Sequence, residues 1–218
     1  MVAEGAPASG AGYRIFHGSM ALVVLAAAII AAAAIGAGVW ERVKPDESLS
    51  SVRLVADGSK VPGASSMLTR SDGGIDFTLR SSGLPAGHVM TLRGEIFNHP
   101  EKCGHGSGSM RCGAGDLADP AVGGSVVFLA GSYLRGTDAV SFAGHLDAGD
   151  ASHALSGEGL TDPRGAAMHL IVMDQGPALQ GVYRDQLTTV GAGCAHPPAG
   201  GGAPGPNNCA DLQYAPHE

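Results

Sequence analysis

The chain has 218 residues, of which 44% are hydrophobic and only 5% aromatic, with 35 glycines and a formal net charge of −7. That length predicts one domain of ordinary size with flanking segments. The acidic balance removes the general attraction to phosphate on which nucleic-acid binders rely, so no nucleic-acid partner is expected.

Residues 1–19 are rich in alanine, glycine and serine without apolar periodicity, and read as a disordered cytoplasmic tail. From Met20 to Trp40 the chain runs MALVVLAAAIIAAAAIGAGVW without a charge. As a helix rising about 1.5 Å per residue, it spans roughly 30 Å, the thickness of a bilayer core. It is expected to be a transmembrane signal anchor that binds the membrane through residues 20–40. A cleaved signal peptide is the alternative, because Gly36, Ala37 and Gly38 offer small residues for cleavage, but the apolar run exceeds the usual ~7–15-residue core of such peptides. Arg14 before the run, and Arg42 and Lys44 after it, mildly favour a cytoplasmic C-terminus. All four cysteines follow the run and suit an oxidising compartment, so the C-terminal part is expected outside the cytoplasm. Residues 41–50 (ERVKPDESLS) form a polar linker, and 51–218 the extracytoplasmic domain.

Within that domain the dominant signal is alternation. Ile75, Phe77 and Leu79 share one face against Asp76, Thr78 and Arg80, as in a half-buried strand. His88–Phe97 repeats the pattern, with Met90, Leu92 and Ile96 against Thr91, Arg93 and Glu95. Val140, Phe142 and Leu146 alternate with Ser141 and His145. Ala166–Met173 is apolar on both faces, which suits a central strand covered on both sides. Weaker strands are expected at Val52–Ala56, Ser125–Ala130, Gln186–Val190 and Ala210–Tyr214. With turns such as Asp72-Gly-Gly74 and Gly83-Leu-Pro-Ala-Gly87 between them, and no amphipathic helix interleaved, these strands predict an all-β fold: an antiparallel, Greek-key-like β-sandwich preceded by one transmembrane helix.

Cys103 and Cys112 bracket a glycine-rich loop, too widely spaced for the C-x₂₋₄-C pairs of zinc sites and lacking the C-x-x-C of redox motifs. A structural disulfide is expected there, and a second between Cys194 and Cys209, although crossed pairing remains open at the level of sequence. His99, His105, His145, His169 and His196 are candidate copper or zinc ligands, but no H-x-H or H-E-x-x-H pattern groups them. His145 should point outward and His169, in the apolar strand, should be a buried hydrogen-bonding residue, while His196 and His217 fall in loops or the tail. Ser107 and Ser109 only superficially approach G-x-S-x-G, the glycine runs do not open a helix, and Asp162 and Asp174 occupy turn positions. No catalytic residue and no cofactor are expected.

Gly83-Leu-Pro-Ala-Gly-His88, Phe97-Asn-His-Pro-Glu-Lys-Cys103, Asp119-Pro-Ala-Val122, Gly159-Leu-Thr-Asp-Pro-Arg-Gly165, Met168-His-Leu170 and the closing Cys209-Ala-Asp-Leu-Gln-Tyr214 resemble a group of uncharacterised exported prokaryotic proteins. More distantly, the chain resembles CHRD-type domains and the copper/zinc superoxide dismutase sandwich. The resemblance implies an exported β-sandwich without an established activity. Those metal-bearing sandwiches carry a His-x-His on a strand where this chain reads Met168-His169-Leu170, so dismutase ligation is not carried over. The expectation is therefore a membrane-anchored extracytoplasmic module with a binding or structural role and an unspecified protein or small-molecule ligand. The alternative is a copper- or zinc-binding protein or metal-dependent enzyme on the same sandwich.

Overall fold

The computed structural model describes residues 46–108 and 110–218. The expected cytoplasmic tail and the membrane helix at 20–40 lie outside the described residues. Among the described residues, no helix is long and apolar enough to cross a membrane.

The strands form two antiparallel sheets. One has the order β1-β3-β4-β7, built from β1 (Asp46–Ser50), β3 (Ser65–Ser71), β4 (Gly74–Ser81) and β7 (Val140–Asp147). The other has the order β2-β10-β9-β5-β6-β8, built from β2 (Arg53–Leu54), β10 (Ala210–His217), β9 (Ala167–Pro177), β5 (His88–Phe97), β6 (Gly124–Tyr133) and β8 (Ala154–Ser156). Alternation places Ile75, Phe77 and Leu79 of β4 inward beside Leu68 and Phe142, where they meet Met90, Leu92, Ile96, Met168, Leu170 and Val172 of the opposing sheet in one buried cluster. The result is a β-sandwich. The hairpin of β5 and β6 belongs to the larger sheet, while the strands before and after it, β4 and β7, pair in the smaller one.

Several local expectations are corrected. Asp46–Ser50, assigned by sequence to the linker, is β1 and pairs with β3 from Asp46↔Arg70 to Ser50↔Ser66. Its single large apolar residue, Leu49, is 80% exposed, so no inward hydrophobic pattern announces the strand. Instead of the strand expected at Gln186–Val190, residues 186–188 end the helix α1 (Tyr183–Thr188), and Thr189 and Val190 follow it as a bend. There Gln186 is fully buried, its Oε1 accepting from Leu179 N at 2.9 Å and its Nε2 donating to Pro177 O at 3.2 Å. Those bonds reward a turn of helix over the sheet more than an extra strand would. His217, expected in the tail, is the last residue of β10 and is buried. Asp174, expected at a turn, lies within β9 and pairs with His88 Nδ1 at 2.9 Å.

β1 and β3 are held to the larger sheet by a polar contact inside the sandwich. His217 Nδ1 lies 2.7 Å from Ser48 Oγ, and its Nε2 lies 2.8 Å from Ser66 Oγ. Arg70, also buried, donates to Ser48 Oγ at 3.0 Å and to Ala166 O at 3.3 Å. Each of these groups has a partner, which is the condition for burying polar atoms at tolerable cost.

β9 is buried on both faces along almost its whole length. Its even-numbered residues Met168, Leu170 and Val172 join the sandwich core. On its outer face, Ala167 packs with Phe97, Cys112 and Val122, and Met173 with Val190 and Cys194. The two cysteine-bearing segments therefore cover opposite ends of the outer surface of the larger sheet.

Two outcomes test this arrangement. Leu68→Ala should cost about 2–5 kcal/mol, the usual range for emptying a buried leucine site, whereas Leu49→Ala should stay within about ±0.5 kcal/mol; urea unfolding measures both. The second concerns pH. Burial, the Arg70 charge and His169, in that order, push the His217 pKa from 6.5 down to about 4. The unfolded chain takes up this proton near pH 6.5 while the native chain waits until about pH 4, so stability contributed by neutral His217 is whole above the window and is lost as pH falls through it. Unfolding curves across the window should show this slope in the wild type and a flatter one in His217→Gln; equal slopes would contradict the assignment.

Candidate binding cleft

The geometry of the candidate site starts from Asn98, which follows β5 and is buried. Its Nδ2 donates to Gly123 O at 2.8 Å and Gly159 O at 3.0 Å, and its Oδ1 accepts from Thr161 N at 2.8 Å and Asp162 N at 3.2 Å. One amide thus uses both its donors and its acceptor to gather three chain segments at the end of the sheet. Where these segments diverge they leave a cleft of about 370 Å³. It is lined by Asn98, Gly124, Gly157 and Thr161, by Leu117, Ala118 and Pro120 along one wall, and by the charged or titratable His99, Asp119 and Glu158. At Gly124 a Cβ would meet the Leu117 backbone at 2.6 Å, so only glycine permits this approach of wall to strand.

The wall directly follows the loop stapled by Cys103–Cys112, whose Cα atoms are 5.0 Å apart. Four residues beyond the staple, the buried carboxylate of Asp116 reaches back and is the group that organises it. Its Oδ1 accepts from Gly104 N at 2.9 Å and His105 Nδ1 at 2.8 Å, and its Oδ2 from Gly113 N at 2.8 Å; His105 N lies 3.1 Å from both oxygens. Burial alone would raise the Asp116 pKa, but the hydrogen bonds from Gly104, His105 and Gly113 outweigh it and hold the carboxyl well below the usual range. Asp116 is absent from the residues singled out by sequence. Its only local sign is the spacing from Gly113, an i to i+3 relation that lets a carboxylate reach back to a backbone N–H at the start of a helical turn.

The second bridge, Cys194–Cys209, has its Cα atoms 5.5 Å apart and closes the other outer segment. Asn207 inside that loop donates from Nδ2 to Gln175 O at 2.7 Å and Pro177 O at 2.9 Å, tying the loop to the end of β9. Both cysteine pairings are local, and two disulfides agree with a domain outside the cytoplasm.

The candidate histidines are dispersed. His99 lines the cleft, 3.9 Å from Glu101. His105 caps Asp116 with its ring 64% exposed. His145 is exposed on the smaller sheet, with Nδ1 2.7 Å from Asp76 and Nε2 3.4 Å from Asp147. His169 is buried, tilted against the Phe97 ring at 5.0 Å and 3.1 Å from Glu218 Oε1. His196 is exposed in the second loop. Among the described residues, the one group of three or more His, Cys, Asp or Glu with ligand atoms within 4.8 Å of one another is Cys103, Cys112 and Asp116, which includes none of the five histidines.

The sequence matches no family model and no curated protein. The cleft presents backbone, hydroxyl, imidazole and carboxylate groups of Thr161, His99, Asp119 and Glu158, which can bind and orient a ligand by hydrogen bonds and charge.

Two sets of variants test the stapled wall. Replacing both Cys103 and Cys112 by alanine should lower stability by about 2–5 kcal/mol, the usual loss for a native bridge in a small exported domain. Non-reducing peptide mapping should recover the Cys103–Cys112 and Cys194–Cys209 peptides as linked pairs. Asp116→Asn should lower the melting temperature further than His105→Ala, because the asparagine turns a donor towards N–H groups that the carboxylate accepts from, whereas the alanine removes one exposed donor. The reverse order would show that Asp116 does not organise the loop.

Proposed function

We propose that this chain is a membrane-anchored extracytoplasmic binding module, held to the bilayer by residues 20–40, whose ligand site is the cleft between Asn98, Leu117 and Thr161. The observation that carries the reading is the cleft itself: about 370 Å³ falls within the range of small-ligand sites, and its wall is held by a disulfide and a buried, fully bonded carboxylate. A site on so constrained a segment loses little conformational entropy on binding. Asp119 and Glu158 in the lining favour a cationic or neutral polar ligand and oppose an anionic one. The disulfides and the apolar run before the sandwich support the extracytoplasmic orientation, and the sequence resemblance to exported β-sandwich proteins agrees with it.

The test joins topology to binding. Reporters active only outside the cytoplasm should work when fused at the C-terminus and fail at the N-terminus. With the full chain in detergent, ligand-observed NMR across sets of amines, neutral sugars and carboxylates should give contacts from the first two classes. Ala118→Trp, which fills the cleft from an exposed wall position, should abolish those contacts without lowering the melting temperature. Contacts that persist in the tryptophan variant would place the ligand elsewhere, and carboxylates alone binding would overturn the proposed class.

A further inference from the structure

The buried polar contact between the two sheets has a fixed direction. Ser66 Oγ donates its one proton to Thr78 O at 3.2 Å, so towards His217 Nε2, 2.8 Å away, it can only accept. Nε2 therefore carries the proton of the neutral ring and Nδ1 is bare. Ser48 Oγ donates to Nδ1 at 2.7 Å while accepting from Arg70 Nη1 at 3.0 Å. The donors thus run in one sense from the Arg70 cation through Ser48, His217 and Ser66 to a backbone carbonyl. A second proton on His217 must go to Nδ1, the atom facing Ser48. That hydroxyl would then receive from two cations, with its own hydrogen turned away from the ring that had accepted it.

We propose that His217 is the pin of an acid-sensitive latch: its protonation releases β1 from the sandwich and uncovers the hydrogen-bonding edge of β3, while the rest of the domain stays folded.

The release is local because of the way β1 is held. Apart from its ladder to β3, the strand is tied inward by Ser48, and none of its residues enters the main apolar cluster. Leu49 points to solvent. Just beyond the strand, Val52 is fully buried in that cluster and Arg53 pairs with Tyr214 of β10, so the opening stops at Ser51. A segment with so few buried apolar contacts belongs to the part of a fold that opens first.

The charges around the ring set the sign of the response. Burial opposes a positive His217 most, followed by Arg70 of β3 and His169 of β9. Asp46 of β1 acts on Arg70, and Glu218 lies 3.1 Å from His169 Nε2. Among the described residues, no carboxylate is hydrogen-bonded to the His217 ring. Once β1 leaves, Nδ1 meets water and the ring regains an ordinary affinity for protons. The closed form, with the lowered pKa of about 4, is therefore favoured above pH 6.5 and loses that advantage as pH falls towards 4. The inference goes beyond the cleft reading and does not depend on it, since strand release is read without any cleft ligand.

Hydrogen exchange of the full chain in detergent, corrected for intrinsic rates, tests the latch. Protection of the β1 amides should fall by about tenfold or more between about pH 7 and about pH 4.5. Their exchange should be insensitive to sub-denaturing urea, because little surface opens, whereas that of the β9 amides should accelerate with urea as global unfolding does. His217→Gln can offer Oε1 to Ser48 and Nε2 to Ser66, as the neutral ring does, so it should keep β1 protected and remove the pH dependence. Should that variant not fold, NMR of the wild-type histidine rings carries the test. His217 must show its neutral proton on Nε2, and its titration must coincide with the loss of β1 protection. A β1 that opens only together with β9, an equal pH dependence in the glutamine variant, or a neutral ring protonated on Nδ1 would overturn the proposal.

Discussion

The structure depends on β9 having no face left for water. A strand with Met168, Leu170 and Val172 on one side and Ala167, His169, Ile171 and Met173 on the other can be stable in the centre of a sheet only if both sides are covered. The smaller sheet covers the first side. Among the described residues no third sheet covers the second; two irregular segments do so, one packing on Phe97 and Ala167 and the other on Met173. Irregular chain has little regular hydrogen bonding of its own to hold it in place, and here each segment is closed by a disulfide and pinned by one buried polar side chain, Asp116 or Asn207. The bridges are thus the means by which a sandwich with few aromatic residues completes its second core.

The cleft is a by-product of that solution. Covering one end of the sheet with a stapled segment requires the chain to leave β5, turn, and return to β6. Asn98 collects the crossing backbone at that point, and the volume left beside it is lined by polar groups because the segments around it are turns. Thr161 and Gly123 are positioned by the Asn98 amide, and the short 3-10 turn Ala114–Ala118 by the bonds of Asp116 and the packing of Leu117 on Phe97 and its neighbours. A change in the staple would reach the cleft wall directly, since Asp116 and Leu117 are adjacent in that same turn.

Much of the sandwich was legible in the sequence where burial follows simple alternation. β4, β5 and β7 carry apolar inward residues in alternation, broken only by Gly94, Gly144 and Ser81, and β9 announces its central place by the apolar run around His169. β3 was not legible, because two of its three inward residues, Ser66 and Arg70, are polar and are satisfied only by groups far away in sequence, His217 and Ala166. β1 escaped for the same reason: Ser48 faces inward and Leu49 outward, the inverse of the usual pattern. Of the site, the local cysteine loops could be read from spacing and glycine content. Asp116 and Asn98 could not, since each resembles an ordinary turn residue until the tertiary structure brings its partners to it.

β1 contributes no residue to the main hydrophobic cluster; it is held by its ladder to β3 and by the contacts of Ser48 with His217 and Arg70. Tension transmitted along the chain from before Asp46 therefore enters at the Asp46–Arg70 rung and meets the Ser48 contacts next, well before it loads the apolar interior. The strand can peel away while the sandwich stays shut, releasing roughly 3.3 Å of reach for each residue freed. Protonation of His217 would remove an acceptor from that seam and lower the force at which it parts. The first strand is thus the part of the sandwich that can separate with the least loss of apolar contact.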